Sequence, residues 1–471
     1  MWNLTFKNSN TPTTAGIALW YTFGNVFVRG IAFVTTPIFT RLMSKEEYGA
    51  FSNFTSWESI IAVIITLDFA ESIAVAKYDY GKKIDTYLSS ILLFSSVTTT
   101  LIYLIVEWHQ DFFVSCFKMD MIYIRALFFY VMFIPAFTYL QIKHRIYKQY
   151  KFFVLFSILQ AGIGTLLSVG LVLMMDNKLL GRTIGYVIPA SLMNLCLWIL
   201  IIKKGRRFEW DCVKYAALIS VPLIPHALSG IILGSFDRIM ITQYCGTEAN
   251  AMYTLAYQIS LLANILWQSM NQAWAPWLYD SIYNNNFKAI WRNSKLYLGA
   301  FSIPIIGVYL FAPEAMLILG GTQYYEARFV MPPVIMGCVF QFVYGMYVNL
   351  ELYAKMTSMI SIGTVSAALV NIGLNAIFIP QYGYIAAAYT TLISYGALLA
   401  FHFFIVKFRV RDLSNIYDES YIFALLCSLF GFFVLALLLY DNNTIRYIVI
   451  AIYISLVSVG IYKYRKKFIS Y

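Results

Sequence analysis

The chain has 471 residues, of which 60% are hydrophobic and only 12% are charged. Soluble domains carry about 25% charged residues, so this composition, with a mean hydropathy of +0.68, excludes a soluble protein and predicts that most of the chain lies in lipid. The six cysteines form no CxxC pair and indicate neither a zinc site nor a disulfide framework.

Apolar runs long enough to cross a bilayer, which takes about 20 residues, recur from Ala15 to the C-terminus. We therefore predict an all-α polytopic membrane protein with about 14 transmembrane helices. The predicted limits of these spans are 15–42, 50–75, 87–106, 121–141, 152–175, 179–202, 213–242, 249–273, 295–319, 327–350, 358–380, 383–406, 420–440 and 444–463.

Lysine and arginine are unevenly divided between the two sides of the predicted bundle. With both termini in the cytoplasm, 24 of the 34 basic residues fall in cytoplasmic segments and 8 fall in outer turns. Cytoplasmic loops carry an excess of Lys and Arg, so the sequence predicts a multi-pass membrane protein with both termini cytoplasmic. The net charge of +11 then faces anionic lipids and does not indicate a nucleic-acid partner.

Two pairs of segments indicate an internal duplication. "TRLM" at 40–43 aligns with "DRIM" at 237–240, an offset of 197 residues, and the segments starting at Gly181 and Gly383 align at an offset of 202. Similar offsets favour two parallel copies of a six-span unit. We predict an N-terminal six-helix lobe over 1–211, a C-terminal six-helix lobe over 212–411 and two extra transmembrane helices over 412–471, in a carrier with its substrate between the lobes.

Three quoted segments carry a resemblance to a known family. They are "YTFGNVFVRGIAFVTTPIFTRLMSKEEYGAFSNF", "SGIILGSFDRIMITQ" and "ALVNIGLNAIFIPQYGYIAAAYTTLISY". They resemble the first helix, the seventh helix and the helix 11–12 hairpin of polysaccharide biosynthesis proteins. These are the O-antigen and capsule repeat-unit flippases of the multidrug/oligosaccharidyl-lipid/polysaccharide exporter superfamily.

The resemblance implies a fold, an activity and a set of partners. The fold is a V-shaped pair of parallel six-helix lobes with two C-terminal helices. The activity is transport of an undecaprenyl-diphosphate-linked oligosaccharide from the cytoplasmic to the outer leaflet of the bacterial cytoplasmic (inner) membrane. Transport is by alternating access and serves O-antigen, capsule or exopolysaccharide assembly. The partners are that lipid, membrane lipids, polysaccharide assembly proteins and a coupling ion, proton or sodium; no cofactor and no metal are expected.

Three arginines are predicted to bind the diphosphate or sugar. A charge at the bilayer centre costs about 2.5–3.5 kcal/mol on an insertion scale, so Arg29 in span one and Arg238 in span seven should face the protein interior, where guanidinium pairs with phosphate. Arg125, at the start of span four, is the third candidate, with a snorkelling interfacial arginine as the alternative. The alternative for Arg29 is a structural ion pair with an acidic residue of span two. The alternative for Arg238 is an ion pair at the outer face, for example with Glu46 or Glu47.

Acidic residues in the spans are candidates for ion or proton coupling. Asp68 and Glu71 are three residues apart, so on a continuous helix they share a face and are also able to pair with Arg29. Asp237 is the third candidate. Since adjacent helical residues point about 100° apart, Asp237 and Arg238 are expected to have different partners.

Four polar residues form a possible cation site. Asn371 and Asn375 are one turn apart on span eleven, and Thr390 and Thr391 follow on span twelve. In related lipid flippases, side-chain oxygens at such positions help to bind sodium. Here amides occupy both positions on span eleven and no carboxylate is evident beside them, so hydrogen bonding between the helices is the alternative.

Two prolines in span seven predict a hinge. Pro222 and Pro225 each remove a backbone donor and should bend the helix. His226 follows them and is expected to be a packed, neutral imidazole. His402, in span twelve, is a lone interior histidine for which the sequence suggests no partner.

Two other functions compete with a flippase. A drug or cation antiporter of the same superfamily would need mainly acidic interior groups and a twelve-span chain. A membrane-embedded glycan polymerase or glycosyltransferase would need a catalytic lobe, but the longest outer break, Glu107 to Asp120, has only about 14 residues. The sequence has no GxxxxGK[ST] motif for ATP hydrolysis, and we expect no enzymatic activity.

Overall fold

The computed structural model describes residues 14–149 and 151–469, and these residues fold almost entirely into helices. The first helices, in chain order, are α1 (Thr14–Leu42), α2 (Lys45–Thr66), α3 (Ile73–Tyr80), α4 (Ile84–Trp108), α5 (Gln110–Phe117), α6 (Met121–Ile146), α7 (Lys151–Met174), α8 (Lys178–Gly205), α9 (Trp210–Ser220) and α10 (Ile224–Ile231). They are followed by α11 (Asp237–Cys245), α12 (Thr247–Tyr283), α13 (Phe287–Leu310), α14 (Ala312–Gly320), α15 (Met331–Tyr353), α16 (Thr357–Tyr382), α17 (Tyr384–Arg409), α18 (Glu419–Leu439) and α19 (Asn443–Ile469). The predicted all-α fold is confirmed.

Among the described residues, ten helical segments are long and apolar enough to cross a membrane, or eleven if the pair α13–α14, bent by 66°, counts as one span. The predicted total of about 14 is therefore not confirmed. Each predicted span nevertheless overlaps a long helix. The four predicted spans that fall outside the ten are those of α1, α2, α12 and α13.

One compact unit of the chain contains the described residues up to Thr35 together with Ile61–Val114 and Asp120–Ile224. Within it, α7 packs along α8, and α4 and α6 also contact α8. A Cβ atom added at Gly185 of α8 would overlap the backbone of Ser168 in α7. Small residues allow this close approach, which stabilises helix pairs in membranes through van der Waals contact.

The second predicted span, 50–75, is not one continuous helix. α2 ends at Thr66, and Leu67 and Asp68 both adopt left-handed backbone conformations with φ of 49°. A 3-10 helix (Phe69–Ser72) follows, preceded by Asp68 at its N-cap position. The expectation that Asp68 and Glu71 share a face of one regular α-helix is therefore wrong, because the helix is interrupted immediately before them.

The second compact unit contains Thr36–Ile60, Ser115–Met119 and the chain from Pro225 onward. Its central helices are α15, α16 and α17, and α11 and α12 pack against them. Only Gly383 separates α16 from α17, and its φ of +72° gives the left-handed turn that glycine adopts without steric cost. α16 and α17 are therefore consecutive antiparallel neighbours. The predicted lobe boundaries at residues 211 and 411 remain predictions.

Candidate functional site

The segment from Trp210 to Cys245 contains two interruptions of α-helical geometry. A 3-10 helix (Val221–Leu223), with Pro222 near its start, separates α9 from α10, and a π-helix (Ile232–Phe236) separates α10 from α11. Proline cannot donate the backbone hydrogen bond of a regular helix, and π-helical turns occur frequently at functional sites. The interruption lies where Pro222 and Pro225 predict it, and their role as a hinge remains a prediction.

Asp237 is the first residue after the π-helix, and its carboxylate is fully surrounded by donors. Its side chain is 1% exposed. Asn375 donates to Oδ1 at 2.6 Å, and the hydroxyls of Tyr253 and Thr391 donate to Oδ2 at 2.6 Å each. Three hydrogen bonds compensate for removing this charge from water.

The donors to Asp237 are linked to one another. The amide of Asn371 donates to Thr391 Oγ1 at 3.2 Å, and the amide of Asn375 also donates to Asn371 Oδ1 at 3.2 Å. Thr390 donates to Asn375 Oδ1. We call the six buried residues of this network the Asp237 cluster: Asp237, Tyr253, Asn371, Asn375, Thr390 and Thr391.

The Asp237 cluster corrects the sequence analysis, which found no carboxylate beside the two asparagines. The four residues of the possible cation site are brought together, and Asp237, a separate coupling candidate, lies among them. The cluster offers carboxylate, amide and hydroxyl oxygens, which are the ligands preferred by hard cations. Because rotating an amide exchanges its NH₂ and its oxygen, Asn375 is able to present either group to the same point.

Arg238 and Asp237 have different partners, as their helical positions predict. The Arg238 guanidinium lies over the ring of Tyr257, 5.0 Å from its centroid. Its buried Nε makes no hydrogen bond to any residue that the structure describes. An arginine that is held by an aromatic ring and retains a free donor is able to bind an anion.

The other predicted site residues lie in the first unit. Arg125 forms an ion pair with Glu107, with Nε 2.8 Å from Oε1 and a second contact at 3.2 Å. Arg29 is half-buried on α1, Asp68 is half-buried at the helix break, and Glu71 is exposed. Their roles in binding and coupling remain predictions.

The sequence offered Tyr253 and Tyr257, with Trp267 and Trp274, only as aromatic residues for stacking on sugar rings, and did not predict that the two tyrosines contact Asp237 and Arg238. Tyr253 and Tyr257 are one turn apart on α12; the first binds Asp237 and the second stacks on Arg238. The i, i+4 spacing placed both on one helix face. Nothing in the sequence indicated that this face meets α11.

Comparison with known proteins identifies relatives and the fold. Residues 17–282, more than half of the chain, match the family described as polysaccharide biosynthesis protein. A Lsg locus protein of Haemophilus influenzae is 22% identical over 332 residues, covering 66% of this chain and 79% of that protein.

Solved structures show the same architecture. Lipid II flippase MurJ, in its inward closed conformation, has a TM-score of 0.71 at 16% identity, covering 97% of this chain and all of that one. An inward-facing multidrug resistance MATE family transporter of the MOP superfamily has a TM-score of 0.59 at 14% identity, covering 88% and 97%. Because the family model matches more than half of its residues, the chain belongs to the polysaccharide biosynthesis protein family.

Proposed function

We propose that this protein is a flippase that moves a lipid-diphosphate-linked oligosaccharide, such as an undecaprenyl-diphosphate repeat unit, across the cytoplasmic membrane. Family membership and a fold shared with a lipid II flippase support this proposal. The product would serve O-antigen, capsule or exopolysaccharide assembly. In this proposal the protein is an inner-membrane carrier with both termini cytoplasmic and with polysaccharide assembly proteins as partners.

The Asp237 cluster is the observation that carries the proposed coupling mechanism. A carboxylate that is 1% exposed and surrounded by amide and hydroxyl groups suits a small monovalent cation such as sodium, since its oxygens are hard ligands and its single negative charge matches one cation. Asp237, Asn371, Asn375, Thr390 and Thr391 would hold the ion. Binding would replace hydrogen bonds that Asp237 now accepts, and so would change how α11 is held against α16 and α17.

The proposed substrate contacts are basic. Arg29 and Arg238 are assigned to the diphosphate, and Arg125 is a weaker assignment because its guanidinium is already paired with Glu107. Arg238 has the clearest support, because Tyr257 orients it and its Nε has no described acceptor. Bidentate guanidinium–phosphate pairing would then fix the headgroup.

Reconstitution in liposomes tests the proposed function. Purified protein is placed in vesicles with a fluorescent lipid-diphosphate oligosaccharide, and label reaching the opposite leaflet is measured with a membrane-impermeant quencher. We expect crossing well above that of protein-free vesicles. A charged hydrogen bond contributes about 1.5–3 kcal/mol, so Arg29→Ala or Arg238→Ala should slow crossing roughly ten- to a hundredfold.

The matched control is Arg292→Ala, which removes an exposed arginine of α13. In vesicles with this variant, the labelled lipid should cross at the wild-type rate. Wild-type rates in both Arg29→Ala and Arg238→Ala would contradict the assignment of the site. Failure of wild-type protein to move any such lipid, together with cation-driven export of small drugs, would replace the flippase by an antiporter.

A further inference from the structure

A second buried acidic group lies in the same unit as the Asp237 cluster. Glu351 is near the end of α15 and His402 is on α17, and both side chains are completely buried. His402 Nδ1 lies 2.7 Å from Glu351 Oε1, within hydrogen-bonding distance. The sequence places these residues 51 positions apart and gives no sign that they meet.

The outer atoms of this pair are not satisfied. Glu351 Oε2 and His402 Nε2 are both buried and make no hydrogen bond to the residues that the structure describes. Tyr344 stacks on the imidazole, with ring centroids 5.5 Å apart. A Cβ atom at Gly363 of α16 would lie 3.2 Å from His402 Nε2, so α16 closes the remaining side.

The net charge of the Glu351–His402 pair depends on how many protons it holds. With one proton, on Nδ1 between the two groups, the pair consists of a neutral imidazole and a carboxylate and has a net charge of −1. A second proton, taken from water by Glu351 Oε2 or His402 Nε2, makes the pair neutral overall, as imidazolium and carboxylate or as imidazole and carboxylic acid. A buried, uncompensated charge is strongly unfavourable, so release of the second proton requires α15, α16 and α17 to open the pair to water.

We propose that Glu351 and His402 form a proton-binding site, separate from the Asp237 cluster, that exchanges a proton with water as the helices around it rearrange. His402 is eleven residues beyond Thr391 on α17, or about 16 Å along the helix axis at 1.5 Å per residue. Ionisable residues inside membranes mark proton relays and ion pathways. A role of this proton in transport rests on the proposed flippase function.

Other titratable and charged groups lie on the helices that carry the pair or pack near it. Tyr344 of α15 stacks between His402 and Tyr395 of α17. On the neighbouring α10, His226 lies 2.9 Å from the hydroxyl of Thr364, next to Gly363 on α16. The charged residues near the helix ends are Lys355 after α15 and Lys407 on α17, which is 2.8 Å from Glu419.

Histidine NMR on the purified protein tests proton binding without any lipid substrate. The protein is labelled with ¹³C at histidine Cε1, and the His402 signal is assigned by its loss in His402→Gln. We expect this signal to shift as the pH is varied between about 5 and 9. In Glu351→Gln the pH dependence of this signal should differ from that of wild-type protein, because the imidazole has lost its carboxylate partner.

A His402 signal that is constant over this range in both proteins would overturn the proposal. His226→Gln is the matched control, since it removes a histidine that contacts α16, the helix that also packs against His402. This substitution should leave the His402 signal unchanged. If Glu351→Gln does not fold, the double variant Glu351→Gln/His402→Gln replaces the pair by two amides that are able to hydrogen bond, and serves in the transport assay below.

Transport in vesicles with a pH gradient provides the second arm. If one proton is bound and released in each transport cycle, the rate of lipid crossing by wild-type protein should change by up to about tenfold per pH unit. His402→Gln and the double variant should lose this dependence on pH. Crossing without any response to pH would overturn the proton site and leave the flippase intact. A titrating His402 that depends on Glu351, in a protein that moves no lipid, would support the proton site and refute the flippase.

Discussion

Two buried carboxylates of the same unit differ in how completely they are hydrogen-bonded. Asp237 accepts three hydrogen bonds of 2.6 Å from three different helices. Among the residues that the structure describes, the Glu351 carboxylate is within hydrogen-bonding distance of His402 alone, and its second oxygen has no partner. Both side chains are almost entirely removed from solvent, so burial alone does not distinguish them.

This difference is the reason for proposing a different ion at each of the two sites. The donors to Asp237 are neutral amides and hydroxyls whose own oxygens are able to turn toward a cation. The partner of Glu351 is a titratable imidazole, which exchanges protons more readily than it ligates an alkali cation. A satisfied polar network is stable until an ion displaces its donors, whereas a half-satisfied pair is costly to keep.

The largest effect is expected for Asp237→Asn. Without the negative charge, the cluster loses its affinity for sodium, and an amide NH₂ faces donors that need an acceptor. The unfolding free energy should fall by about 1–3 kcal/mol. Sodium at a hundred times its dissociation constant should stabilise wild-type protein by about 2.7 kcal/mol and should not stabilise the variant.

Thermal unfolding in detergent, in sodium chloride and in choline chloride, measures both effects. Asp280→Asn is the control, because it makes the same change at an exposed aspartate of α12 in the same unit. Sodium that raises the melting temperature of Asp237→Asn as much as that of wild-type protein would show that the cation binds elsewhere. Loss of the sodium response in Asp280→Asn would show a nonspecific charge effect.

Asn375→Asp sharpens the comparison by adding a second carboxylate to the Asp237 cluster. Asn375 Nδ2 is 2.6 Å from Asp237 Oδ1, so the substitution brings two anions into contact in a buried site. Without sodium the melting temperature should fall, and with sodium it should recover more than in wild-type protein, because the cation screens both charges. Equal responses to sodium in the variant and in wild-type protein would contradict a cation site here.

The sequence was informative about local spacing and uninformative about distant pairings. The four residues Asn371, Asn375, Thr390 and Thr391 were grouped through the resemblance to lipid flippases, and the structure joins their side chains in one hydrogen-bonded network. Asp237 lies more than a hundred residues earlier in the chain, and its position beside these residues depends on how α11 packs against α16 and α17. A single sequence does not encode that packing in a readable pattern.

Backbone geometry limited prediction in the same way. Leu67 and Asp68 both adopt left-handed conformations, which aspartate tolerates better than leucine but which are uncommon for any residue other than glycine. A hydropathy pattern continues through such a break, so a single span from 50 to 75 was predicted. Tertiary contacts must hold this conformation, and they are invisible to periodicity.

The smallest effect is expected for an ion pair outside the membrane-spanning segments. Lys295 Nζ lies 2.6 Å from Asp418, and both side chains are partly exposed, so water screens the attraction. Asp418→Asn removes the charge and retains a good N-cap for α18, where Asp418 accepts a hydrogen bond from Tyr421 N at 3.1 Å. The melting temperature should fall slightly at neutral pH, with no change in the sodium response.

The pH dependence of that small effect has a defined sign. The Lys295 ammonium, and then the Tyr421 amide, hold the pKa of Asp418 below its ordinary value of 3.8. A lowered pKa stabilises the folded state above the ordinary value, and this contribution disappears as the pH falls through the folded-state pKa. The melting temperatures of Asp418→Asn and wild-type protein should therefore converge below about pH 4. A difference between the two melting temperatures that widens on acidification would mean that Asp418 stabilises α18 through its protonated form. Solvent screening of the Lys295–Asp418 pair would then not explain why this carboxylate contributes less than the two buried ones.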